Sequence, residues 1–167
     1  MTAQILVTYT SRSGSTAEIA AAIGKELQNA GYTTDITDMK ETASVDGYQA
    51  VVMGAPVYAG HIEKRLISFI DRNRQALGNV PLAAFVVGIA PVYPKAGTAD
   101  EVLDQVKKSL APLEPSAVTM FAGRLEYTNQ SFLKRTMIHL MKVPTGDFRD
   151  WDEISAWARR LPALLIR

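Results

Sequence analysis

Ala3-Gln4-Ile5-Leu6-Val7-Thr8-Tyr9 runs straight into Thr10-Ser11-Arg12-Ser13-Gly14-Ser15-Thr16, and the reading of this junction decides the fold. Ala3 to Tyr9 reads as an apolar strand. From Thr16 to Ala30, Ile19, Ala20, Ile23 and Leu27 recur at helical spacing, and Gly31 suits a C-cap. The turn between them carries five hydroxyl residues around one glycine. The first N–H groups of a helix have no internal acceptor and lie at the positive end of its dipole, so an anion placed there meets several oriented donors. Hydroxyls of Ser11, Ser13, Ser15 and Thr16 add donors, and Arg12 adds charge. The competing reading is an ordinary helix cap, because Ser15-Thr16-Ala17-Glu18 fits a capping box that needs no ligand. A cap uses a single hydroxyl. A surplus of hydroxyls at the carboxyl end of a buried strand, where open α/β sheets bind ligands, argues for phosphate.

Outward from this junction, β-branched apolar runs alternate with amphipathic stretches of helical length, the pattern of βαβ units on a parallel sheet. Strands are expected at Thr33 to Thr37, Gln49 to Gly54, Leu82 to Ile89 and Ala117 to Phe121, with helices from about Glu63 to Leu77 and Asp100 to Leu110. A last helix over Asp150 to Leu165 places Trp151, Ile154, Trp157, Ala158 and Leu161 on one face, expected to pack on the core. The stretch from Arg124 to Gly146 is too long for an ordinary connection and reads as an insertion before that helix. Residues 1–167 are expected to form one α/β domain.

The glycines do not fit a dinucleotide fingerprint, and no Gly-Lys-Ser/Thr is present for a nucleoside triphosphate. A phosphoacceptor receiver is also excluded, since the strands ending at Tyr9 and Gly54 supply no acidic residue. With 18 basic against 17 acidic residues, charge points to no nucleic acid. The chain contains no cysteine, so iron–sulfur ligation and thiol chemistry are absent and any redox centre must be brought in. No metal site is expected. Met1 leads directly into the first strand without a basic leader, and no apolar run reaches membrane-spanning length, so a cytoplasmic location is expected.

Ser11-x-Ser13-Gly14-x-Thr16 after a strand resembles the phosphate-binding motif of the flavodoxin superfamily, [Ser/Thr]-x-[Ser/Thr]-Gly-x-[Ser/Thr]. The resemblance implies a doubly wound five-stranded parallel sheet of order 2-1-3-4-5. It also implies that the bound group is FMN, its phosphate held by Thr10, Ser11, Arg12, Ser13, Gly14, Ser15 and Thr16. A flavin ring needs two further loops at the same edge. The candidates are Pro56, Val57, Tyr58, Ala59, Gly60 and His61 after the third strand, and Gly88, Ile89, Ala90, Pro91 and Tyr93 at the end of the fourth. Aromatics stacked on the ring exclude water and shift the stability of its redox states. By the same resemblance, the peptide of Gly60 can turn to meet the ring, since glycine tolerates both orientations. His61 and Tyr58 are the candidate catalytic residues, the imidazole as a proton donor or as a partner for an anionic ring. Solvent-exposed side chains with no such role are the alternative at both positions.

A second resemblance, to the menaquinone-dependent protoporphyrinogen dehydrogenase group of that superfamily, extends end to end. It is carried by Gly54-Ala55-Pro56-Val57-Tyr58-Ala59-Gly60-His61, by Phe121-Ala122-Gly123-Arg124-Leu125-Glu126-Tyr127 and by Asp147-Phe148-Arg149-Asp150-Trp151. In that group an aromatic usually precedes the Gly-His pair; here Ala59 stands there, with Tyr58 one residue earlier. Within the insertion, Phe132, Leu133, Thr136, Met137, Leu140 and Met141 recur at helical spacing beside Lys134, Arg135, His139 and Lys142. Such a helix suits a membrane surface through residues 131–142, a cover for a flat apolar substrate, or docking on its own domain. The resemblance implies an FMN-dependent oxidoreductase passing electrons from a large apolar or porphyrinogen-type donor to a quinone. The alternatives are a one-electron carrier between protein partners and a flavin-free interaction domain.

Overall fold

Apolar residues on both faces of the central strands leave no face of the sheet for water, and the chain resolves this by placing helices on each side. The computed structural model describes residues 2–167. In chain order the main elements are β1 (Gln4–Tyr9), α1 (Ser15–Asn29), β2 (Thr33–Asp38), β3 (Ala50–Tyr58), β4 (His61–Ile62), α2 (Lys64–Leu77) and β5 (Leu82–Gly88). These are followed by α3 (Ala99–Leu110), β6 (Ala117–Ala122), β7 (Arg124–Leu125), α4 (Phe132–Leu140), β8 (Gly146–Asp147) and α5 (Trp151–Leu165). The five long strands are parallel in the order β2-β1-β3-β5-β6, the order expected when only those strands are counted.

Successive residues of β3 serve opposite cores. Val51, Met53, Ala55 and Val57 pack with Leu66 and Phe69 of α2 and Val106 of α3, while Ala50 and Val52 pack with Ile19 and Ile23 of α1 and Trp157 and Leu161 of α5. Phe85, Phe121 and Trp157 form an aromatic cluster with ring centroids 5.7–6.1 Å apart. A Cβ on Gly54 would overlap the Phe85 ring, so β3 carries glycine where that ring crosses it.

Two expectations change. The segment from Ala55, read as a loop, continues β3 to Tyr58, turns at Ala59-Gly60 and returns as β4, pairing Tyr58 with His61 and Val57 with Ile62. Ala59 and Gly60 have φ of 49° and 79°, the two-residue turn whose twist matches a hairpin. Ala-Gly lacks the usual Asn-Gly or Asp-Gly signal, which is why the hairpin was not legible. Trp151 does not join the core with Ile154, Trp157, Ala158 and Leu161; it is 42% exposed, with the Arg149 guanidinium 4.7 Å from its ring. It stands at the first position of α5, where the helix has not yet reached the sheet. The insertion is a two-stranded stem, β7 against β8, carrying α4 at its tip, and α4 buries none of its residues.

Candidate functional site

The carboxyl ends of β1, β3 and β5 meet at one edge, and backbone bonds set the segments that leave them. Thr10 N donates to Gly54 O (3.0 Å), Glu63 N to Pro56 O (3.2 Å), and Tyr93 N to Ile89 O (2.7 Å). The sheet register thereby brings Thr10–Thr16, Pro56–His61 and Gly88–Tyr93 together at this edge.

The turn after β1 is not a capping box. Gly14 is the N-cap of α1, at φ 92°, and no side chain caps the helix. Only glycine takes that backbone conformation at little cost, and a Cβ there would meet nothing within 4 Å, so open space lies over the turn. Ser11 Oγ accepts from Gly14 N at 3.0 Å, closing the turn on itself. Thr10, Ser15 and Thr16 are buried, and Ser13 is exposed at the rim. Thr10 Oγ1 and Ser15 Oγ find no hydrogen-bond partner within the protein. A buried hydroxyl without a partner costs about 1–3 kcal/mol, and these two stand at either end of the turn that opens α1, one just before it and one at the first helical position. This donor set fits a phosphate dianion.

Arg12 leaves the turn sideways. Its Nε donates to Glu63 Oε2 at 2.5 Å, and its guanidinium lies 4.9 Å from the centroid of the Tyr58 ring. Glu63 is buried at the start of α2, with Arg65 Nε 3.8 Å from its other oxygen. Burial pushes the Glu63 carboxyl up, but the Arg12 hydrogen bond and the charges of Arg12 and Arg65 outweigh it and leave the group below its ordinary value. Burial raises the Tyr58 phenol, with Arg12 and Arg65 opposing and Glu63 assisting.

On the other flank, Arg149 ties the insertion to α1. It is bonded to Glu18 Oε2 and, through Nη2, to Asp147 Oδ2 at 2.6 Å, while Arg124 Nη2 lies 3.7 Å from the other Glu18 oxygen. Asp147 is held down to about 2, chiefly by the Arg149 hydrogen bond. Two of the sequence stretches behind the second resemblance thus converge on the stem of the insertion: Arg124 is on β7, and Asp147 and Arg149 are on and just after β8.

Pro56 and Val57 are buried, Gly60, Gly88, Ile89 and Ala90 are half-buried, and Ala59, His61 and Pro91 are exposed. Tyr58 stands 42% exposed at the edge, whereas Tyr93 is buried and its hydroxyl donates to Met141 O at 2.8 Å, just past the end of α4. The ring loop after β5 is therefore tied to the insertion. Glu63, Glu18, Arg124 and Arg149 were not read as site residues from the sequence. Each has a partner 51 to 131 residues away that brings it to this edge, and no local spacing signals that partner. Among the described residues, no group of three His, Asp or Glu side chains is placed to hold a metal ion, and no helix is long and apolar enough to cross a membrane.

An open parallel sheet with a donor-rich turn after its first strand, flanked by two further loops at the same edge, defines an α/β protein of the doubly wound class. The flavodoxin domain model matches residues 6–152, and the chain belongs to that family. It is 26% identical over 172 aligned positions, spanning 95% of this chain and 94% of the relative, to the protoporphyrinogen IX dehydrogenase [quinone] of Escherichia coli strain K12. The protein of that name from Leishmania major is also 26% identical, over 95% of this chain and 74% of its own length. Oxidised flavodoxin 1 from Bacillus cereus superposes with a TM-score of 0.62 at 15% identity, covering 98% of this chain and 99% of the other, a likeness of fold.

Proposed function

We propose that this chain is an FMN-dependent oxidoreductase that passes electrons from a large apolar or porphyrinogen-type donor to a quinone, with residues 1–167 acting as one FMN-binding unit. The observation that carries the cofactor is the pair of buried, unpartnered hydroxyls, Thr10 Oγ1 and Ser15 Oγ, beneath a glycine turn. The donor and acceptor classes draw support from the relatives named protoporphyrinogen IX dehydrogenase [quinone], which align along nearly all of this chain.

When bound, FMN supplies a ring that exchanges electrons in pairs or singly and takes up a proton at N5. The chain's own residues do the rest. Thr10, Ser13, Ser15 and Thr16, with the first N–H groups of α1, hold the phosphate. The backbone of Pro56 to Gly60 and of Gly88 to Pro91 meets the ring edge. Tyr58 excludes water from one side of the site, and Tyr93 keeps its loop in place through Met141. His61, exposed and paired through its backbone with Tyr58, is the side chain that exchanges a proton with solvent or donor there.

The helix α4 extends this reading to residues 131–142. Phe132, Leu133, Met137, Leu140 and Met141 are all more than half exposed, and Lys134, Arg135 and Lys142 flank them with no acidic residue between Ser131 and Val143. An apolar stripe with basic flanks suits the surface of an anionic leaflet, where a quinone would be dissolved.

Anaerobic stepwise reduction of the FMN-reconstituted protein, followed by its visible spectrum and then by reoxidation with a water-soluble quinone, tests the proposal. Uptake of electrons in pairs and rapid return to quinone are expected. Failure to bind FMN would refute the cofactor, and uptake one electron at a time without quinone turnover would make the chain a carrier.

A further inference from the structure

Among the described residues Glu63 is the one buried carboxylate, and it stands a single side chain away from the phosphate turn. Its place is set by the backbone: Glu63 N bonds to Pro56 O, and the residue opens α2 directly after β4. The charged and titratable groups facing it are Arg12 from the turn, Tyr58 from β3 and Arg65 from α2. Arg12 is the one cation the turn itself carries, and its Nε is committed to Glu63. Its guanidinium also lies over Tyr58, which directs it toward the hairpin.

We infer that Arg12 and Glu63 form a charge-compensating pair that sets how strongly the turn attracts a phosphate: Glu63 withholds the turn's cation from the anion, and Arg12 cancels the carboxylate that would otherwise repel it. The inference rests on the phosphate reading of the turn proposed above. At the spacing of one arginine side chain, both charges lie within the screening length of about 8 Å at physiological salt, so a dianion in the turn feels each of them. With the pair intact the turn is close to neutral and binds through N–H and hydroxyl donors. Arg12 is a positioning residue here, acting on the anion through the state of Glu63.

The two members therefore have effects of opposite sign, which a purely structural tie between turn and hairpin would not produce. A tie would be weakened by loss of either partner.

FMN and riboflavin, which lacks the phosphate, are titrated by flavin fluorescence against the full-length apoprotein and the Glu63→Gln, Arg12→Ala and double variants, with thermal unfolding recorded for each. Glu63→Gln should bind FMN about fivefold more tightly, and the gain should shrink as salt is raised. Arg12→Ala should bind it about tenfold more weakly, and the double variant should fall near the parent, while riboflavin affinity stays within about twofold throughout. Weaker FMN binding by Glu63→Gln, which leaves no buried charge unpaired, would overturn the inference, as would losses that add in the double variant. Parent protein that binds riboflavin as tightly as FMN would refute the phosphate reading itself, a separate and recognisable result.

Discussion

Removing the two orphaned hydroxyls should make the apoprotein more stable and a poorer host for its cofactor. Thr10 is fully buried and Ser15 is 5% exposed, and neither hydroxyl oxygen has a partner. Thr10→Val keeps the shape of the side chain and deletes an unsatisfied polar atom that costs about 1–3 kcal/mol; Ser15→Ala does the same at the first position of α1 and adds a few tenths of a kcal/mol of helix propensity. Allowing for partial relaxation, each change should stabilise the apoprotein by about 1 kcal/mol, and the pair together should raise its Tm by roughly 4–8 °C for a chain of this size. In the loaded protein the same hydroxyls would donate to a charged phosphate, and such bonds contribute about 1.5–3 kcal/mol each. The double variant should thus lose FMN affinity by a factor of about 100 or more. Thermal unfolding of the apoprotein by circular dichroism and an FMN fluorescence titration read the two effects separately. A double variant that is less stable as apoprotein, or that binds FMN like the parent, would refute the reasoning. The hydroxyls would then be structural groups rather than waiting donors.

Three further outcomes follow from other parts of the structure. Ala59 holds a left-handed conformation at φ 49°, which costs a residue with a Cβ about 1–2 kcal/mol, so Ala59→Gly should stabilise by roughly 0.5–1 kcal/mol after glycine's added chain entropy, measured by urea unfolding. Asp147 is held down to about 2 by Arg149, from an ordinary 3.8. A lowered carboxyl stabilises above its unfolded value, so this contribution is complete above about pH 4 and is lost as pH falls toward 2. Because the side chain is 44% exposed, the amount is no more than about 1 kcal/mol, and acid titration of Asp147→Asn should lack that step. Replacing Phe132, Leu133 and Leu140, exposed by 81, 76 and 73%, with Ser should leave unfolding within about 0.5 kcal/mol of the parent and abolish sedimentation with anionic vesicles; retained sedimentation would remove α4 from the membrane reading.

The five long strands and the helices between them were legible because burial on two faces and helical spacing are local patterns, repeated over enough residues to be distinctive; the order of the strands in the sheet followed only from the resemblance to flavodoxins. The hydroxyl-rich turn was legible for a related reason, since Ser11, Ser13, Gly14 and Thr16 sit within one short segment whose position after β1 fixes its edge of the sheet. Trp151 misled because periodicity assigns a face to every turn of a helix, whereas α5 reaches the sheet only from Ile154 onward. The hairpin at Ala59-Gly60 escaped for want of the usual turn residues, its left-handed alanine being held by the pairing of Val57 with Ile62 rather than by local preference.

By itself, then, the amino-acid sequence determined the alternation of strands and helices, the two apolar faces of the sheet and the cluster of donors at one helix start, all of which depend on neighbours a few residues apart. Tertiary structure decided the rest: that Arg12 turns to Glu63, that Thr10 and Ser15 are left without partners, that Arg149 closes on Glu18, and that α4 stands clear of its own core. Charge and hydrogen-bond partners are chosen by distance in space. Over 51 or 131 residues of chain, only the packing of the sheet sets that distance.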